Sequence, residues 1–221
     1  MTFHQRVRVA ARTAFAVASL AIAGAAPAHP VTYKGNLMLM GEAGQKMQDY
    51  SAGYTFAVDK AVSAGWMYFQ SDRGDRDRRI PNVHLSYLAK RWNLPEAQAN
   101  IYLQAGMGDA AGSDFRGSKT TFMPGFQADY ETQHVYVAYK WHGFKASGFS
   151  HSFNQVEGGF ALYAGEYDEV SPWLMLQVRR MSNFDSKTEI TPTLRLVRKN
   201  VFFEIGVSTE RSPRINLMFN F

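Results

Sequence analysis

The chain contains no cysteine. That excludes a disulfide framework, a thiolate metal centre and a cysteine nucleophile. No apolar run approaches the roughly 18 residues that a membrane-spanning helix needs. No G-x-S-x-G occurs, and the small-residue stretch Ala110 to Ser118 lacks the Lys-Ser/Thr pair that would open a phosphate-binding helix. Helical periodicity never lasts more than a few residues. Charge is sparse at 19 %, with a formal net of +5. What the chain does have is 46 % apolar and 14 % aromatic residues, too much for a disordered polypeptide. Its mean hydropathy, −0.28, is that of an ordinary soluble protein. An average, however, hides which face of an element the apolar residues occupy.

The chain opens with a distinct segment. Arg6, Arg8 and Arg12 precede an uninterrupted small-apolar core at 13–25, followed by Ala26, Pro27 and Ala28. Basic start, apolar core and small-residue A-x-A site are the three parts of a secretory signal peptide, with cleavage expected after Ala28. The expected organisation is therefore a cleaved signal peptide, 1–28, and a single domain, 29–221. Without the three arginines of the leader, 21 bases face 19 acids and the net charge falls to +2. The basic balance is then no argument for nucleic-acid binding.

From residue 29 onward the pattern alternates with period two, which is the signature of strands with unlike faces. In the last eight residues Ile215, Leu217, Phe219 and Phe221 share one face, and Arg214, Asn216, Met218 and Asn220 the other. Twelve strands are expected, near 31–42, 49–58, 61–72, 82–91, 98–109, 120–130, 133–143, 157–166, 171–182, 188–198, 200–208 and 213–221. The stretch 143–160 leaves eight or ten strands open, because Phe149 to Phe153 reads either as loop or as strand extension. Connections are expected to alternate between short turns and longer polar loops, the asymmetry of membrane barrels. Trp66, Tyr68, Trp92, Tyr130, Tyr136, Trp141, Tyr167 and Trp173 fall near strand ends, as interfacial girdles would. Long charged residues in mid-strand sit better in a lumen than in a sandwich core.

The final segment, with a terminal Phe221 and Phe219, Leu217 and Ile215 at alternate positions, resembles the assembly signal of bacterial outer-membrane β-barrel proteins. With the leader, the whole chain resembles that class. The resemblance implies an all-β, antiparallel up-and-down transmembrane barrel in the outer membrane of a Gram-negative cell. It also implies contact with outer-membrane lipid and lipopolysaccharide, and delivery to the barrel-assembly machinery through the C-terminal strand. No nucleic acid or cofactor is expected, and the oligomeric state is open.

The polar face then becomes a lumen. Its candidate selectivity residues are Lys34, Lys90, Lys140, Arg179, Arg195, Glu204 and Tyr136. The bases read onto that face (Lys34, Lys90, Lys140, Arg179, Arg195) outnumber the acids (Glu42, Asp129, Glu204), which favours small anions. The leading expectation is a narrow passive pore for small polar or anionic solutes. A barrel sealed by internal ion pairs is the main alternative. A second alternative is a copper-linked barrel, since Met38, Met40, Met175, His84 and His134 supply the soft ligands of a cysteine-free chain. They form no motif of fixed metal-ligand spacing, and Met also fills irregular space. A lipid hydrolase at the rim would rest on His151 and Ser152. Adjacent strand residues point to opposite faces, so the two can pair only in a loop. The loop Ser71 to Arg79 reads as solvated, internally salt-bridged, and able to meet lipopolysaccharide phosphates through Arg78 and Arg79.

Overall fold

In the computed structural model, residues 29–221 are described, except positions 72, 167 and 186. The expected leader therefore lies outside the described residues, as does Tyr167. Twelve strands follow one another: β1 (Leu37–Gly44), β2 (Met47–Ala57), β3 (Lys60–Gln70), β4 (Asp77–Asn93), β5 (Ala97–Gly112), β6 (Lys119–Thr132), β7 (Val135–Ala146), β8 (Phe149–Ala161), β9 (Ser171–Ser182), β10 (Thr188–Arg198), β11 (Val201–Val207) and β12 (Pro213–Asn220). Every neighbour in sequence is a neighbour in the sheet, and β12 pairs antiparallel with β1 to close a barrel. The seam is finished by reciprocal backbone hydrogen bonds between Leu37 and Phe221, of 3.1 and 2.8 Å. Closure leaves no strand edge without partners, which a lipid environment requires.

The faces are inverted relative to a soluble domain. Leu39, Val62, Leu85, Leu103, Met107, Phe122, Val137, Phe160, Leu176, Ile205 and Ile215 are exposed on the outside. Asn82, Asn100, Gln127, Gln155, Glu157, Gln177, Arg179, Arg195 and Glu204 are buried within. So continuous an apolar exterior is far larger than the surface of a water-soluble monomer carries. Ile215, Leu217, Phe219 and Phe221 lie on this outer face, as the alternation indicates. Tyr50, Trp66 and Tyr68 stack along it at 6.0 and 6.1 Å. Trp92 and Tyr130 are exposed towards the other rim. Tyr136 and Trp173 differ from the girdle expectation: both are buried inside, because each has the parity of the lumen face.

Three local features depart from the sequence reading. The β7–β8 connection is far shorter than the expected loop: Phe149 to Phe153 take the strand-extension reading, and the strands turn at Ser147-Gly148, where Gly148 has φ +98°. That conformation suits glycine. The tight Gln45-Lys46 turn and the long 162–170 connection also break the expected short–long alternation. Finally, β4 pairs with β5 through a bulge between Leu88 and Lys90. One extra residue reverses which side chains face inward beyond it.

Candidate functional site: the barrel interior

The interior is layered along the barrel axis. At the end bearing the β3–β4, β5–β6 and β9–β10 loops, which we term the loop end, Met47, Met67, Phe69, Ile80, Ala110, Met123, Phe144, Phe153, Met181 and Phe184 form one apolar cluster. Rings interlock there. Phe144 stacks on His151 at 4.5 Å and 10°, and Phe69 meets Phe144 edge-on at 5.0 Å. Arg78 threads this layer. Its guanidinium lies 4.1 Å from the Phe149 ring centre and 4.8 Å from that of Phe184. It also pairs with Asp114 at 2.5 Å and hydrogen-bonds His151 Nδ1 at 2.6 Å. Over it, Lys46 bridges Asp185 at 2.9 Å and Glu210 at 2.5 Å, tying three connections together. The expectation for Arg78 is corrected: β4 begins early enough to send it inward, and only Arg79 stays outside.

The middle is a charged belt. Arg179 on β9 meets Glu42 on β1 at 2.5 Å, spanning the lumen past β10, β11 and β12. Arg214 lies 3.3 Å from Glu42 and 3.4 Å from Glu189, and also donates to Gln177. Arg195 pairs with Glu204 at 2.8 Å and Glu157 at 3.4 Å, while Lys140 stands 3.8 Å from Glu157. The Tyr136 and Phe202 rings each lie 4.8 Å from the Arg195 guanidinium. Thr191, Thr193 and Asn216 bury side-chain oxygens with no protein partner. A cavity of about 110 Å³ runs through this belt, bounded among others by Glu42, Asp49, Lys140, Glu157, Arg195 and Asn216.

Below it, at the end where β1 begins and β12 finishes, which we term the terminal end, a second apolar layer holds Met38, Tyr136, Trp173, Met175, Phe202 and Met218, with Met40 against it. The segment before β1 folds into this end. Val31 packs with Ala61 and Tyr102, and His29 lies over the Tyr102 ring at 5.8 Å. His29 Nδ1 is 3.4 Å from Asp129 and Nε2 3.3 Å from Glu131. Burial alone would lower the His29 pKa, but these two carboxylates outweigh it and raise it to about 9.

Of the sequence-read selectivity residues, Lys140, Arg179, Arg195, Glu204 and Tyr136 do share the lumen. Lys34 and Lys90 do not. Lys34 precedes the barrel and is exposed. Lys90 lies past the β4 bulge and faces out near Trp92, at 5.7 Å, while Arg91 takes the inner place and donates to Asn100 at 2.7 Å. Asp49, Arg78, Glu157, Glu189 and Arg214 were missed. Parity alone would have found Asp49, Glu189 and Arg214, since each shares the face of a lumen residue two positions on. Glu157 opens the expected strand 157–166, and Arg78 falls in the segment expected as loop. With them the bases of the interior (Arg78, Arg91, Lys140, Arg179, Arg195, Arg214) are matched by its acids (Glu42, Asp49, Asp129, Glu131, Glu157, Glu189, Glu204) among the described residues. The excess of positive charge disappears.

The soft-ligand set is also redistributed. Met38, Met40 and Met175 pack in the terminal-end layer, and His134 is exposed in a turn. His84 lies beside His142, and Met38, Met40 and His84 all border the central cavity. Among the described residues no three His, Asp or Glu side chains converge as a metal centre would need. His151 and Ser152 lie on opposite faces of β8, so no serine–histidine pair forms.

A closed twelve-strand antiparallel barrel with a lipid-type exterior and a charged interior defines the class: the chain has the fold of a bacterial outer-membrane β-barrel. Among solved structures it is similar to the KdgM porin in complex with disordered oligogalacturonate, at 14 % identity and TM-score 0.50, over 84 % of this chain and 98 % of that one. The KdgM porin by itself gives 14 % identity and TM-score 0.49 over the same shares. A loop-deleted OmpT, an outer-membrane protein of Vibrio cholerae, gives 9 % identity and TM-score 0.31, over 85 % of this chain and 97 % of that one. No family model and no curated protein matches the sequence.

Proposed function

We propose that the chain is a narrow outer-membrane channel for small polar solutes, exported by a leader cleaved after Ala28. The observation that carries this reading is the charged belt around the internal cavity of about 110 Å³. A barrel that serves only as a wall gains nothing from an interior lined with paired bases and acids, since buried ion pairs seldom stabilise more than apolar packing of equal volume. Such groups instead supply transient partners for a polar solute that sheds part of its water. The likeness to the KdgM porin, whose structure holds oligogalacturonate, supports a channel by fold alone. The balanced belt does not favour anions over cations, so we propose weak charge selectivity instead of the anion preference that the sequence suggests. The two termini would lie on the periplasmic side and the loop end outside, the usual orientation of such barrels.

The test is conductance. Refolded, heat-modifiable protein in planar bilayers should give small steps with a cation-to-anion permeability ratio near one. Strong anion preference would restore the earlier expectation. Folded protein that leaves the bilayer silent would support the sealed alternative, which the apolar layers above and below the belt favour.

A further inference from the structure

We propose that Met67, Met123, His84 and His142 form a binding site for one soft monovalent cation of the Cu(I) type, within the loop-end half of the lumen. The four residues come from β3, β6, β4 and β7 and, with Gln104 and Gly125, line one small cavity of about 10 Å³. That is room for about one water-sized sphere. Two thioethers and two imidazoles are the donor set that soft cations select, and no carboxylate lines the cavity to favour a hard one.

The space is made by glycines. A Cβ on Gly106 would stand 2.7 Å from the His84 Cβ, and one on Gly125 would stand 2.8 Å from the His142 ring. The imidazoles are also held in defined tautomers. The Asn82 amide nitrogen donates to the Ile80 carbonyl at 3.0 Å, which turns its oxygen towards His84 Nδ1, 3.2 Å away. The Gln104 amide nitrogen donates to Ser86 Oγ at 3.2 Å, which turns its oxygen towards His142 Nε2, 2.5 Å away. An amide oxygen only accepts, so each of these ring nitrogens carries the proton. The opposite nitrogen of each ring, Nε2 of His84 and Nδ1 of His142, is left with a lone pair. An outer partner that fixes the tautomer of an imidazole is the usual support of a histidine ligand. Met67, His84, Gln104 and His142 also border the larger cavity, which supplies a route from the lumen.

The competing role of Met67 and Met123 is packing, since both belong to the loop-end apolar layer. Met67→Leu with Met123→Leu conserves volume and removes both sulfurs. Refolded barrel in detergent is titrated anaerobically with Cu(I) against a chromogenic Cu(I) chelator, with Zn(II) in a parallel arm. The expected result is one Cu(I) per barrel, at least tenfold weaker retention in the double variant, and no change in Met38→Leu with Met40→Leu. X-ray absorption of the copper-loaded wild type, which needs no variant to fold, should show sulfur and nitrogen neighbours. The assignment is overturned if folded wild type retains no Cu(I), if the double variant retains it undiminished, if Zn(II) binds as tightly, or if only oxygen neighbours appear. None of these readouts depends on conductance.

Discussion

Apolar clusters occupy both ends of the barrel, but they are built by different means. At the loop end the closing groups belong to the barrel: Phe69, Phe144, Phe153 and Met181 on strands, with Phe184 on a loop and Arg78 threaded between rings. At the terminal end, part of the closure is an added segment, in which His29 and Val31 reach Asp129, Glu131 and Tyr102 from outside the sheet. A cap built from strands opens only if the barrel deforms. A cap built from a preceding segment leaves by losing a few contacts. The terminal-end cap is therefore expected to open before the loop-end cap, with the charged belt between them as the part that both ends share.

The largest expected effect concerns the belt. Arg195→Met removes the cation shared by Glu204 and Glu157, leaving buried Glu204 without its ion pair and Glu157 with Lys140 alone. Breaking a buried pair from one side costs about 3–5 kcal/mol. The midpoint of urea unfolding in detergent should fall accordingly, and Arg195→Met combined with Glu204→Gln should recover part of the loss. Next comes the loop-end cap: Phe144→Ala empties a fully buried ring site, for which roughly 3 kcal/mol is typical. If the loop end limits conduction, the same variant should also enlarge the bilayer steps; unchanged steps would place the constriction at the other end.

The terminal-end cap is tested by pH. His29 titrates at about 9 in the fold and near 6.5 in an unfolded chain, so its contribution is complete below pH 6.5 and fades as the pH rises through 9. A loss on the order of 1–3 kcal/mol follows from a shift of that size. It should shrink in His29→Ala to what the α-amino group of the cleaved chain contributes at about pH 8, and any conductance carried past this segment should rise over the same pH window. The smallest effects lie at the bulge. Lys90→Ala, on the outer face, should stay within about 0.5 kcal/mol. Arg91→Ala leaves the buried Asn100 oxygen without its donor and should cost about 1–2 kcal/mol. Equal costs at 90 and 91 would refute the inward turn of Arg91.

Much of the architecture is legible in the residues because a barrel wall is written locally. Alternation marks each strand and its lipid side, and the parity of Ile215, Leu217, Phe219 and Phe221 agrees with their outward placement. The belt is legible only in part. Lys140, Arg179, Arg195 and Glu204 follow from parity, whereas Lys90 fails because one extra residue at the β4 bulge reverses the faces. The extent of the β7–β8 hairpin stays open because Phe149, His151 and Phe153 alternate with Ser150, Ser152 and Asn154, a pattern that reads either as loop or as strand.

The sequence by itself determined that this chain alternates and, away from bulges, which residues most strands show to lipid, since those depend on period two along a single strand. Only the tertiary structure decided what meets across the lumen. Glu42 and Arg179 are 137 positions apart, and their contact exists because closure of β12 on β1 brings opposite walls within reach. The same closure gathers two methionines and two histidines from four strands around one small cavity. Strand parity is a property of neighbours in sequence, whereas a lumen is a property of the closed ring.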